Sequence, residues 1–248
     1  MVFFVGLFSV SSLVLGGLIG AYWNINRKLL GMIMGFGAGA LISAVAYDLV
    51  LEAVELGGGS FFPISGLFAG AAVFLILDSL IEFFGHRVRA GSPNQDSASL
   101  GSSVKLLVPM VLAIILDGIP ESIVLGLGMF KDGSVSTSIL LAVFVSNLPE
   151  ALAGTSGMKA SGWSTRKILT LWLSIALICA LATLLGYHVF SQVSVTWISF
   201  IQAFAGGAIL MTLANSMMPE SFERGGKWTG VMTVLGFVCS AAFALTSA

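Results

Sequence analysis

Two short runs in this sequence place acidic side chains where acids are costly. The first is Leu116-Asp-Gly-Ile-Pro-Glu-Ser122 and the second is Val145-Ser-Asn-Leu-Pro-Glu-Ala151. Each lies near the middle of a long apolar stretch. A charged group near the centre of a bilayer costs about 2.5–3.5 kcal/mol on insertion scales, so such residues are candidates for function. Superposing Pro120 on Pro149 places Glu121 on Glu150, Asp117 on Ser146 and Gly118 on Asn147. Asp117 and Glu121 share one helical face, as do Ser146 and Glu150, while Asn147 lies on an adjoining stripe. Each proline removes a backbone N–H and frees the carbonyl one turn earlier, that of Leu116 or Val145. Two such kinked helices facing each other would gather the Asp117, Glu121 and Glu150 carboxylates, the Asn147 amide, the Ser146 hydroxyl and loose carbonyls. That donor set is an oxygen-rich cage for a divalent cation. Like-charged carboxylates do not share a dry site without a cation or protons between them, and neither run carries a Lys or Arg.

The elements that must position these residues follow from composition. Of 248 residues, 57% are hydrophobic and 9% charged, against about 25% charged in a soluble domain. Mean hydropathy is +1.01. The chain has too little charge to cover a water-facing surface. Its eleven Lys and Arg against twelve Asp and Glu leave no basic excess for nucleic acid. The class is a polytopic membrane protein, all-α, because strand-type alternation does not recur. Eight runs reach the roughly 20 apolar residues a spanning helix needs: Val2–Trp23, Leu29–Val50, Phe61–Phe84, Leu106–Met129, Ser136–Met158, Ile168–Phe190, Val195–Met218 and Trp228–Ser247. Residues 1–248 form one transmembrane domain. The first run has no basic flank before it and reads as a retained helix. The Ser-, Gly- and Pro-containing stretch His86–Ser103 reads as a flexible loop. Cys179 and Cys239 sit in apolar runs and read as small buried hydrophobes.

Positive charge sets the orientation. Arg27, Lys28, Arg87, Arg89, Lys105, Lys159, Arg166, Lys167, Arg224 and Lys227 fall on one side of the membrane, and Lys131 alone on the other. The expectation is an integral protein of the cytoplasmic membrane. Both termini lie on the non-cytoplasmic side and the His86–Ser103 loop lies inside. Trp23, Trp163, Trp197, Trp228 and Tyr187 lie at span ends, as interfacial anchors do.

A second pair of segments also matches. Phe36–Glu52 of the second run superposes on Phe204–Glu220 of the seventh, with Phe36/Phe204, Gly39/Gly207, Ala40/Ala208, Ala46/Ala214 and Glu52/Glu220 identical. The two runs cross the membrane in opposite senses. Inverted repeats flanking interrupted helices are a transporter signature.

These residues and their order resemble the Zrt/Irt-like (ZIP) divalent-metal transporters over nearly the whole chain. That family has eight spans, both termini outside and a cytoplasmic loop between the third and fourth. Its fourth span carries a His-Asn-x-Pro-Glu-Gly motif and its fifth a His-Glu-x-Pro-Glu-like motif. The Pro-Glu pairs match at Pro120-Glu121 and Pro149-Glu150, whereas Asp117, Gly118, Ser146 and Asn147 depart from the pattern. The resemblance implies metal ligation by Glu121 and Glu150, with Asp117 and Ser146 replacing primary-site ligands. Gly118 and Asn147 replace those of a second site. Glycine offers no side chain and the sixth span has no acid, so the expectation is one metal. The remaining donors are oxygens, which leaves Mn²⁺, Fe²⁺, Mg²⁺ or Ca²⁺ open beside Zn²⁺. The metal is the transported substrate, and no organic cofactor is expected. The resemblance further implies that spans one, four, five and six move as a unit against two, three, seven and eight, and that the protein is a homodimer in the bilayer.

Other polar residues are secondary. Asp48 and Glu52 read either as lining an outer vestibule or as interfacial acids. Asn215 and Glu220, beside Pro219, are the exit candidates. Asp78, Glu82 and His86 read as a solvated helix end, and His188 as interfacial. The competing class is an intramembrane metal-dependent hydrolase. Two histidines near helix ends do not supply its usual ligand set, and no nucleophile with a base is evident.

Overall fold

The computed structural model describes residues 1–90, 100–132, 136–190 and 193–247, and all regular structure among them is helical. Eight helices follow one another: α1 (Val2–Tyr22), α2 (Arg27–Leu56), α3 (Phe62–Ala90), α4 (Leu100–Asp132), α5 (Thr137–Ala160), α6 (Thr165–Phe190), α7 (Val195–Gly225) and α8 (Trp228–Ser247). Among the described residues, seven of them are long and apolar enough to cross a membrane. The eighth, α4, has 33 residues and carries Asp117 and Glu121. The chain is an all-helical polytopic membrane protein. Helices are required because hydrocarbon satisfies no backbone polar group.

The expected loop over His86–Ser103 is too wide. Helix α3 continues to Ala90 and α4 starts at Leu100; residues 91–99 lie outside the described residues. Cys179 is buried as expected, but Cys239 is exposed on the apolar face of α8. An apolar run does not separate a core-facing side from a lipid-facing one.

The closest backbone approaches occur at glycines, and they sort the helices into two groups. In the first, a Cβ added at Gly16 of α1 would meet the Leu148 carbonyl of α5, and Gly17 and Gly154 flank the Trp172 ring of α6. Gly126 of α4 lies against the Thr183 carbonyl of α6. In the second group, α2 and α8 meet at Gly39 against the Thr233 carbonyl and at Gly236 against the Phe36 carbonyl. Helices α3 and α7 meet in the same way, Gly207 against the Leu67 carbonyl and Gly70 against the Phe204 carbonyl. Small residues that let backbones touch are how membrane helices pack without a hydrophobic drive between them. Gly37 of α2, against the Ser146 backbone of α5, is the close approach that crosses between the groups.

Trp172 anchors the first group. It is fully buried, and its indole Nε1 donates to Thr155 Oγ1 on α5 at 2.8 Å. Thr155→Val keeps the shape and leaves a buried donor without a partner. Thermal unfolding in detergent should show a loss of about 1–3 kcal/mol.

Two helices contain widened π-helical turns, Val45–Leu51 in α2 and Leu213–Met217 in α7. The superposition of Phe36 on Phe204 also equates Val45 with Leu213. Both widened turns therefore start at matched positions.

Candidate metal centre

Helices α2, α4, α5 and α7 enclose a cavity of about 360 Å³. Asp117 and Glu121 of α4 line it together with Ser146 and Glu150 of α5. The fourth-residue spacing on each helix turns those side chains to the same wall. Both helices run without interruption through Pro120 and Pro149. Asn147, one position from Ser146, is buried beside this wall and does not line the cavity.

The polar atoms are unevenly satisfied. Thr212 of α7 donates its hydroxyl to Asp117 Oδ1 at 3.1 Å. Ser146 Oγ donates to the Val143 carbonyl at 3.0 Å, so its lone pairs stay free to face the cavity. Glu121 is 7% exposed, and its Oε2 has no hydrogen-bond partner. Asn147 interacts electrostatically with Glu121, yet its Nδ2 meets hydrogen-bond geometry with no described group. A buried oxygen without a partner is rare enough to require an explanation, and an ion is one of the few available. Among the described residues, no three His, Cys, Asp or Glu side chains converge as a ready-made metal shell. The carboxylates share one cavity and do not meet at one point, as mutual repulsion favours.

The cavity is polarised along the bundle. On α5 its lining runs from Ser146 through Glu150 and Ala153 to Gly157, toward the basic end of the helix. On α7 it runs from Ile209 through Ser216 to Glu220 and Arg224. On the other side of the carboxylates the same helices close up. Val45 and Leu49 of α2, Val124 and Leu125 of α4, Ile139 and Val143 of α5, and Ala205 and Leu213 of α7 form one dry cluster. The acids thus sit at the inner end of a pocket that extends toward the basic face and is sealed toward the opposite one.

The remaining sequence candidates divide. Glu220 lines the mouth of the cavity, but its Oε1 is held by Arg224 Nη2 at 2.5 Å. Asn215 is exposed and is not among the residues that line the cavity. The widened turn at Leu213–Met217 shifts the register, and Ser216 faces inward instead. Asp48 and Glu52 are away from the cavity and are engaged by side chains: Ser136 and Ser138 donate to Asp48, and Gln202 donates to Glu52. Asp78 of α3 does not line the cavity. Thr212, Ser216 and Arg224 were not singled out by sequence. Thr and Ser carry no charge signal, and Arg224 reads as one more basic residue at a span end.

Neither a protein-family model nor a curated protein matches this chain.

Proposed function

We propose that the chain transports a divalent metal cation toward the cytoplasm, in the manner of the ZIP family that its motifs resemble. The observation that carries the reading is one cavity within a membrane-crossing bundle. It is lined by Asp117, Glu121 and Glu150, with Glu121 Oε2 buried and unpartnered. Hard oxygen donors suit Mn²⁺, Fe²⁺, Mg²⁺ or Ca²⁺, and carboxylates also bind Zn²⁺. With the basic end facing the cytoplasm, both termini lie outside. The cavity is then inward-facing, and the apolar cluster is its outer seal. The cation reaches Asp117, Glu121 and Glu150 from outside when the seal opens, and leaves past Ser216 and Glu220 when it closes.

The two glycine-locked groups are those expected to move against each other, α1, α4, α5 and α6 against α2, α3, α7 and α8. The seal lies between them and is mostly aliphatic, a surface that can slide without breaking polar contacts. The reading of α2–α3 and α7–α8 as inverted repeats is supported by two features. One is the matched start of the widened turns at Val45 and Leu213. The other is the reciprocal packing of α2 on α8 and of α7 on α3. Homodimer formation remains what the family resemblance implies.

The test is flux into proteoliposomes for Zn²⁺, Mn²⁺, Fe²⁺, Mg²⁺ and Ca²⁺ separately. At least one should enter at a rate that Glu150→Gln reduces to that of empty vesicles. Flux of none of the five, in protein shown to be folded, would reject the transport reading.

A further inference from the structure

At the end of the bundle away from the cavity, a polar cluster joins the two helix groups directly over the apolar seal. Asp48 sits on the widened turn of α2. Its Oδ1 accepts from Ser136 Oγ and its Oδ2 from Ser138 Oγ, each at 2.8 Å. Ser136 caps α5 and Ser138 lies in its first turn. Ser138 is fully buried and also meets Ser240 of α8 at 3.1 Å. A hydroxyl has one proton, and that of Ser138 goes to the carboxylate, so Ser240 must be the donor of the second bond. Three hydrogen bonds between the groups therefore meet at one point. Gln202 of α7, itself 2% exposed, fixes the other side of the cluster. Its Nε2 donates to the Asp48 carbonyl at 3.0 Å and to Glu52 Oε2 at 2.6 Å.

We propose that Asp48, Ser136 and Ser138 form a latch that holds the outer seal closed, the widened turn of α2 being clamped to the start of α5. The chemistry suits a reversible clasp. Both carboxylate oxygens receive hydroxyl donors, so the bonds are charge-assisted, yet among the described residues no Lys or Arg pairs with Asp48. Water reaching the cluster offers the same donors, so the exchange is close to balanced once the groups part. The placement suits it too. Val45 and Leu49 share the turn that carries Asp48, and Ile139 and Val143 follow Ser138 on α5. Releasing the latch thus frees the residues that make the seal. Closed, the latch stabilises the inward-facing arrangement. The inference rests on the transport reading for its purpose, but its test does not need a cation.

The experiment places a reporter cysteine at Val143, which is buried in the seal, in a Cys179→Ala, Cys239→Ser background. Right-side-out vesicles receive a membrane-impermeant thiol reagent from the non-cytoplasmic side. Ser136→Ala with Ser138→Ala should raise the labelling rate about tenfold or more, equivalent to about 1.4 kcal/mol. Asp48→Asn, which cannot accept at both oxygens, should move it in the same direction and carries the test if the serine pair does not fold. Ser199→Ala removes a bond within one group, from Ser199 Oγ to the Ala53 carbonyl, and should leave labelling unchanged. Labelling unaltered in both latch variants overturns the proposal, as does an equal rise in Ser199→Ala. Raised labelling in protein that moves none of the five cations leaves the latch standing and removes the transport reading. Intact flux with unaltered labelling removes the latch alone.

Discussion

Glu121→Gln should weaken cation binding sharply while leaving the metal-free protein as stable as before, or more so. The two effects have opposite signs for one reason. Glu121 is 93% buried, as its 7% exposure requires, and its Oε2 has no partner. It shares its cavity with Asp117 and Glu150. Without a cation, that carboxylate carries desolvation and like-charge repulsion that its interaction with Asn147 offsets only in part, so a neutral isostere relieves both. With a cation, it is a direct ligand with net charge, and Gln supplies only a neutral carbonyl oxygen. Affinity should fall about 100-fold or more, near 2.7 kcal/mol. Glu150→Gln should behave in the same way. Calorimetric titration with Mn²⁺ or Zn²⁺ reads the affinity and differential scanning fluorimetry reads the stability. At a cation concentration about 100 times the parent Kd, stabilisation of the parent is about 2.7 kcal/mol, and a 100-fold weaker variant retains about 0.4 kcal/mol. A carboxylate that served only the fold would give the reverse pattern: lower stability without metal and an unchanged metal shift. That pattern in both variants would sink the assignment of the site.

The residues that were legible in the sequence are those whose cost in lipid is large. Asp117, Glu121 and Glu150 stand out because acids in an apolar run are expensive, and their spacing already fixed a shared face. Seven of the eight expected spans were legible for a similar reason, since there length and apolarity suffice. What stayed hidden depends on register or on which apolar face meets what. No residue pattern announces the π-helical turns at Val45–Leu51 and Leu213–Met217. An extra residue in a turn rotates everything beyond it relative to a regular 3.6-residue helix. This is why a regular helical reading points to Asn215, whereas Ser216 lines the cavity. The widened turn of α2 carries Asp48, whose partners Ser136 and Ser138 lie at the start of α5, a cross-bundle pairing that sequence distance conceals. Glu220 lines the cavity, but its pairing with Arg224 was not foreseen because both read as interfacial charges. Cys239 and the core cysteine Cys179 sit in similar apolar runs, and lipid and protein interior select the same side chains.

Gly39→Val should be among the most destabilising of the glycine substitutions between helices, and Gly230→Ala on the facing helix should be harmless. A Cβ at Gly39 would lie 1.9 Å from the Thr233 carbonyl oxygen, whereas one at Gly230 would meet nothing within 4 Å. The obstacle at Gly39 is main chain inside α8, so no side chain can rotate away and the helices must separate. In lipid that separation is not opposed by a hydrophobic force, and contact packing is most of what holds the pair. The cost should reach at least the ~3 kcal/mol upper part of the range for overpacked cores. The consequence also travels along α2, which carries Met34 and Leu41 in the cavity wall and Val45 and Leu49 in the seal. Gly230→Ala should instead raise stability by up to about 1 kcal/mol through helix propensity. Gly207→Val meets the Leu67 carbonyl at 2.0 Å in the α3–α7 pair. If the two hairpins are inverted copies, its loss should match that of Gly39→Val. Thermal stability and monodispersity of the three variants in one detergent decide the matter. Equal stability of Gly39→Val and Gly230→Ala would mean that α2 and α8 are not held at backbone contact. Loss at Gly39 with none at Gly207 would keep that contact but remove the equivalence of the pairs.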